Sequence, residues 1–157
     1  MESTSLKTPL GIVTIQGDMN GITAISIAET SKTLIKEIPS SLQKCVVQLQ
    51  EYFDGNRNRF DIALNPQGTD FQKRVWQALL EIPFGKTTSY LELSKKLGNA
   101  KTVRAVAAAN GKNPLWIIIP CHRVIGTDGS LTGYAGGLWR KKWLLNHENP
   151  STQVSLF

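Results

Sequence analysis

Cys121, His122 and Arg123 follow one another within IIIPCHRVIG, residues 117–126, in a chain with only two cysteines and two histidines. A cysteine can serve as a nucleophile, but a free thiol, with a pKa near about 8.5, is only a few per cent thiolate at neutral pH. It needs a base or a positive charge close by, and an imidazole and a guanidinium are groups of the right kind. The three isoleucines predict a buried strand that runs through Pro120 into the cysteine. Neighbours in extended chain point to opposite faces, so His122 reaches Cys121 only if the chain turns after Pro120 or a water bridges the two. An imidazole acting as a base works best with a carboxylate behind it, which sets its tautomer and stabilises its charged form. Five acidic residues follow position 65: Asp70, Glu81, Glu92, Asp128 and Glu148. Glu148 is expected at the end of the last helix, where the helix dipole disfavours a carboxylate, so its presence there asks for a second reason. Spacing alone does not bring it to His122. An inert cysteine at a strand end is the plainer alternative, and the adjacent His-Arg pair weighs against it.

Other residues that could do chemistry are few. Cys45 lies on the apolar face of a helix and reads as packing. GTDGSLTGYAGG, residues 126–137, has five glycines in twelve residues. It is either a plain hairpin or wing, or a loop whose bare backbone lines a pocket with Tyr134 as an aromatic wall. There is no metal-ligand spacing, phosphate-cradling loop or dinucleotide fingerprint, so a reaction without metal or cofactor is the simplest expectation.

The elements that must position these residues fall into two parts, with NPQG at 65–68 as the boundary signal. The expected domains are 1–65, an α/β unit, and 66–157, a mainly helical unit. In the first, GIVTIQG and GITAISIA alternate as strands around a short loop, an antiparallel hairpin. SSLQKCVVQLQEYFDG places Leu42, Cys45, Val46, Leu49, Tyr52 and Phe53 at helical spacing, with a serine cap before and Gly55 after. RFDIAL, residues 59–64, predicts a further strand. In the second part, Thr69 is positioned to cap a helix carrying Phe71, Val75, Ala78 and Leu79 toward the core until Pro83. TTSYLELSKKLGNAKTVRAVAAANGKNP then gives a capped helix, a glycine turn and a second short helix, a helix-turn-helix layout that any αα-hairpin would share. The second of these helices holds alanines, two valines and one central cation, Arg104. It lacks the long polar side chains that read base edges in a major groove. Its small residues suit close approach of backbone to backbone, with one long cation free to reach into a duplex; a tightly packed core helix with an exposed arginine looks the same.

Bulk properties narrow the class. The chain has 157 residues, 41% hydrophobic and 19% charged, which is ordinary globular composition. No apolar run approaches the length of a membrane span, the N-terminus has no secretion-signal layout, and two distant cysteines make a poor disulfide framework, so a cytoplasmic home is expected. Residues 1–65 hold six basic against seven acidic residues, net −1; residues 66–157 hold twelve against five, net +7. The basic half points to an anionic partner.

IPCHRVIG, with TGYAGG behind it and KNP before it, resembles the O6-alkylguanine-DNA alkyltransferases, which repair alkylated DNA by direct reversal. The resemblance runs from FQKRVWQALLEIPFGKTTSY to WLLNHE and extends more weakly to the N-terminal part. It implies a ribonuclease-H-like α/β domain followed by a winged helix-turn-helix-type domain that binds the minor groove of double-stranded DNA irrespective of sequence. It implies that Cys121 accepts the alkyl group from O6-alkylguanine, or from O4-alkylthymine, once per protein and irreversibly, because a thioether resists water. His122 would deprotonate the thiol through a water, Glu148 would orient His122, and Asn113 would brace the active-site turn. Arg104 would fill the gap left by the flipped nucleotide, Tyr90 would help turn it out, and Ala105 and Ala107 would lie along the groove. Tyr134 and the backbone of Val124 and Ala135 would line the guanine pocket. Trp116 stands where a smaller residue is frequent, so bulky alkyl groups should fit poorly. Asn110 replaces an apolar residue of some members, and alanines replace glycines in RAVAAAN. No cofactor, no structural zinc and a monomer are expected. A lesion sensor, a sequence-specific regulator and a thiol hydrolase are the rival readings. Intact PCHR favours alkyl transfer over all three.

Overall fold

A computed structural model describes residues 1–28 and 34–150, and the chain divides into two compact units. The first comprises Met1–Gln67 together with Pro114–Trp116; the second comprises Gly68–Asn113 and the chain from Ile117 onward.

The first unit is built on an antiparallel sheet in the order β1-β2-β3, with β1 Glu2–Thr8, β2 Gly11–Asp18 and β3 Gly21–Ala28. The β2–β3 hairpin forms as the alternation requires. β1 was not legible: ESTSLKT has no apolar alternation, and it is held as an outer strand by its full register against β2, from Glu2 opposite Gly17 to Thr8 opposite Gly11. Helix α1, Gln43–Phe53, buries Cys45, Val46, Leu49 and Tyr52 with Val13 and Ile15 in the core. No serine caps it. Ser40–Leu42 forms a 3-10 turn instead, because the Ser41 hydroxyl is engaged with Glu2 Oε1 at 2.6 Å.

The strand expected over Arg59–Leu64 is reduced to one parallel bridge, Leu64 with Ile22. The reason is a side chain: Gln48 on α1 donates to the Asp61 carbonyl at 3.2 Å and accepts the Asp61 amide at 2.8 Å. Those backbone groups are satisfied before a ladder can claim them. Farther along β3, Ile25 donates to Pro114 O at 2.8 Å, which ties Pro114–Trp116 into this unit.

The second unit is mainly helical. Helix α2, Asp70–Leu79, opens with a complete capping box between Thr69 and Gln72. It buries Val75, Trp76, Ala78 and Leu79, while Phe71 is only half-buried. The Trp76 indole donates to Ala109 O at 2.9 Å, pinning α2 to helix α4, Val103–Gly111. Helix α3, Tyr90–Lys96, is capped by Ser89, and Gly98 at φ +102° turns the chain back toward α4. A two-residue parallel pairing of β4, Thr88–Ser89, with β5, Val124–Ile125, sets the head of α3 beside the chain that follows the cysteine. Helix α5, Leu138–Glu148, is the last element among the described residues.

Candidate active site

Ile117–Ile119 are buried but do not form the expected strand; they run as a turn in which Ile117 has φ +76°. That conformation is costly for a β-branched residue and is held by its surroundings. Two donors converge on the Ile119 carbonyl, the Asn113 side-chain amide at 2.7 Å and the Cys121 backbone amide at 2.8 Å. Cys121–Arg123 then forms a 3-10 turn closed by Arg123 N–H to Pro120 O at 3.0 Å. The chain therefore turns at Pro120, which is one of the two ways the sequence left open for His122 to serve the cysteine.

The turn buries all three polar side chains. His122 Nε2 lies 2.7 Å from Glu148 Oε2. Arg123 takes the same carboxylate in a fork, Nε to Oε1 at 2.7 Å and Nη2 to Oε2 at 3.0 Å, and donates Nη1 to Ile82 O at 2.6 Å. Glu148 is the last residue of α5, and these two partners supply the reason for a carboxylate at a helix C-terminus. With the His122 proton on Nε2 facing the carboxylate, Nδ1 carries a free lone pair. Among the described residues it has no hydrogen-bond partner.

Protonation follows from burial and charge. Burial pushes the Cys121 thiol up to about 11, against a hydrogen bond from Asn113 and the nearby Lys141 charge. Burial also lowers His122; Glu148 opposes this, while Arg123 and Lys141 add to it. Burial alone would raise Glu148, but His122 and Arg123 hold it well below the usual carboxylate range. The resting arrangement is a protonated thiol, a neutral imidazole poised to take a proton, and an ionised carboxylate behind it.

Two cations missed by sequence reasoning complete the surroundings. Lys141, fully buried and brought down to about 8 by that burial, donates to Thr132 O at 3.2 Å and sits 6.0 Å from the Tyr90 ring centroid. Arg140 donates to Gly136 O at 2.8 Å. Together they pin the glycine-rich loop to α5. Their signal was present: adjacent cations in the first turn of a helix oppose its dipole and call for a partner. The loop itself forms a tight turn, with Gly126 N–H bonded to Ser130 O at 2.8 Å, and no strand pairing after Ile125. Tyr134 on this loop has a buried hydroxyl, raised well above its usual range chiefly by burial.

The remaining candidates are spread over the unit. Tyr90 heads α3, and its hydroxyl meets Asn110 at 3.5 Å. Arg104 and Ala105 are exposed on α4; Ala107 is half-buried, and Ala108 takes its place on the outward face. Val124 is buried in β5, Ala135 is exposed on the loop, and Trp116 belongs to the first unit.

Comparison with known proteins adds an independent line. Residues 1–66 match the family model for the 6-O-methylguanine DNA methyltransferase ribonuclease-like domain, and residues 70–150 match its DNA binding domain. The chain is 44% identical over 149 residues to a methylated-DNA–protein-cysteine methyltransferase of Methanosarcina acetivorans, covering 90% of this chain and 94% of that one. It is 43% identical over 156 residues to the Mycobacterium tuberculosis protein of the same name, covering 97% and 94%. Among solved structures it resembles Mycobacterium tuberculosis OGT in complex with DNA, with a TM-score of 0.87 and 44% identity over 96% of this chain and 94% of that one. An O6-methylguanine DNA methyltransferase from Methanococcus jannaschii matches with a TM-score of 0.67 and 28% identity, over 96% and 95%.

Proposed function

Since the chain belongs to the 6-O-methylguanine DNA methyltransferase family, we propose that Cys121 is the residue that takes the alkyl group. The protein is a methylated-DNA–protein-cysteine methyltransferase, which repairs DNA by direct reversal through alkyl transfer to cysteine. The observation that carries the residue assignment is the buried relay His122–Glu148–Arg123 on the turn that holds the cysteine.

With burial holding the thiol up at about 11, the resting cysteine is protonated at neutral pH. Transfer therefore needs the proton removed as the reaction proceeds. His122 takes it on Nδ1 through a bridging water, and Glu148 stabilises the resulting imidazolium. The sulfur forms a bond to the alkyl carbon as the carbon–O6 bond breaks. The electron pair passes to guanine, which leaves as its anion and is neutralised by the one proton that His122 gives back through water, and the product thioether does not turn over. Asn113 holds the turn and supports the sulfur. Lysines and arginines of the net +7 half engage phosphates, and Arg104 occupies the space of the flipped nucleotide while Tyr90 helps turn it out.

Finer features belong to the same reading. We assign residues 1–65 a ribonuclease-H-like fold and residues 66–157 a winged helix-turn-helix-type fold that meets the minor groove. The support is the α3–Gly98–α4 layout with its alanine-rich outward face, from which Ala105 and Ala108 approach the backbone. Tyr134, Val124 and Ala135 form the base pocket. O4-alkylthymine is a further substrate to test beside O6-alkylguanine. The protein acts as a cytoplasmic monomer; both cysteines are free thiols, and among the described residues no helix is long and apolar enough to cross a membrane.

Intact-protein mass after mixing with an oligonucleotide containing O6-methylguanine tests the assignment. Wild type should gain one methyl group and stop there, and Cys121→Ala should gain none while still binding DNA. Methylation of the Ala variant would move the acceptor elsewhere.

A further inference from the structure

Asn110 faces inward from α4 and is buried. Its amide nitrogen has two acceptors in reach, the Tyr90 hydroxyl and the Cys121 carbonyl, each at 3.5 Å. Both contacts are at the long limit of a hydrogen bond. Its Oδ1 is buried as well and, among the described residues, has no hydrogen-bond partner. Turning the amide over would bring Oδ1 to the Tyr90 hydroxyl, which can donate, but would also set it against the Cys121 carbonyl, acceptor against acceptor, and leave the amide nitrogen bare in its place.

A bare buried acceptor lowers the stability of the free protein, and an apolar side chain of similar volume would remove that cost. An amide here makes physical sense if Oδ1 gains a donor in another state. The neighbours indicate which state. Asn110 touches the peptide of the cysteine on one side and the head of α3 on the other. On the reading of Cys121 as alkyl acceptor, a flipped base must bring its alkylated edge to that cysteine. Tyr90 is partly exposed and holds Asn110 by one marginal contact, so the acceptor is reached by displacing little.

Base chemistry limits the donor. Alkylation at O6 leaves guanine N1 without a proton, so the exocyclic 2-amino group is the donor that remains on the six-membered ring. We propose that Asn110 Oδ1 accepts a hydrogen bond from the 2-amino group of the flipped O6-alkylguanine. Asn110 is then a specificity residue, favouring this lesion over alkylated bases that lack the amine, O4-alkylthymine among them. The proposal rests on the acceptor reading of Cys121.

The test compares single-turnover transfer from duplexes containing O6-methylguanine and O6-methylhypoxanthine, which differ by that amino group, in wild type, Asn110→Leu and Asn110→Ala. Removing the amino group should slow wild type about three- to tenfold more than it slows either variant, the value of one neutral hydrogen bond. The ratio is taken within each protein, so partial loss of folded material cancels, and the alanine variant serves if leucine does not fold. Equal ratios in wild type and variants overturn the role of Asn110 alone. Absence of transfer to wild type from both duplexes overturns the acceptor reading with it.

Discussion

Three buried side chains, His122, Arg123 and Glu148, share charge in a way that ties chemistry to stability. His122 is lowered from its ordinary 6.5, chiefly by burial, and Glu148 is lowered from 4.5, its partners outweighing burial. The unfolded chain takes a proton on His122 below about pH 6.5 and on Glu148 below about 4.5, while the folded protein resists both. The two contributions have the same sign: stability is present above those values and is lost as the pH falls through the depressed ones. Urea midpoints should therefore fall steadily from neutral pH toward about pH 4. Glu148→Gln should cost about 3–5 kcal/mol at neutral pH, since it leaves a buried arginine without its counter-charge, and should flatten the profile below pH 4.5. A variant that keeps the wild-type slope there would place the titration elsewhere. At this scale the sequence was informative about types: a lone His-Arg pair beside a cysteine, and a carboxylate at an unfavourable helix end. Their distances were not, because 26 positions separate His122 from Glu148. Lys141 and Arg140 were overlooked although their place at a helix start disfavours cations.

At the scale of elements, the helices were legible and the irregular chain was not. Thr69, Ser89 and Gly98 announce the starts and the turn of α2, α3 and α4 by chemistry that acts within a few residues. Gly98 isolates one such term. Its φ is +102°, and a Cβ added there meets nothing within 4 Å, so Gly98→Ala should lose about 1–2 kcal/mol through backbone conformation alone, read from the urea midpoint. An unchanged midpoint would mean the turn relaxes without penalty. Two apolar runs misled. Residues 117–119 are as apolar as a buried strand, yet Asn113 and the Cys121 amide claim the Ile119 carbonyl and fold the run into a turn. Residues 59–64 alternate like a strand, yet Gln48 occupies the Asp61 backbone. In both cases a side chain outside the run, Asn113 six residues away and Gln48 thirteen, outcompeted the local pattern.

At the scale of the whole chain, charge separates the halves, net −1 before residue 66 and net +7 after it. Phosphate contacts release counterions, so transfer from a duplex should weaken steeply with salt, the logarithm of affinity falling by about 0.9 per contact for each decade. Reaction with free O6-methylguanine base should barely respond. Arg104→Ala should follow the same division, losing duplex repair far more than free-base reaction, and equal losses on both substrates would count against its role in the duplex. The sequence by itself determined the residue types that can do chemistry, the presence of the helices and the anionic partner, because these depend on local covalent chemistry and on summed charge. Only the tertiary structure decided that the cysteine sits on a turn, that Glu148 closes on His122 and Arg123, and that Asn110 keeps a bare acceptor beside the cysteine peptide. Those are questions of which polar group meets which across long stretches of chain, and burial settles them by penalising every group left without a partner.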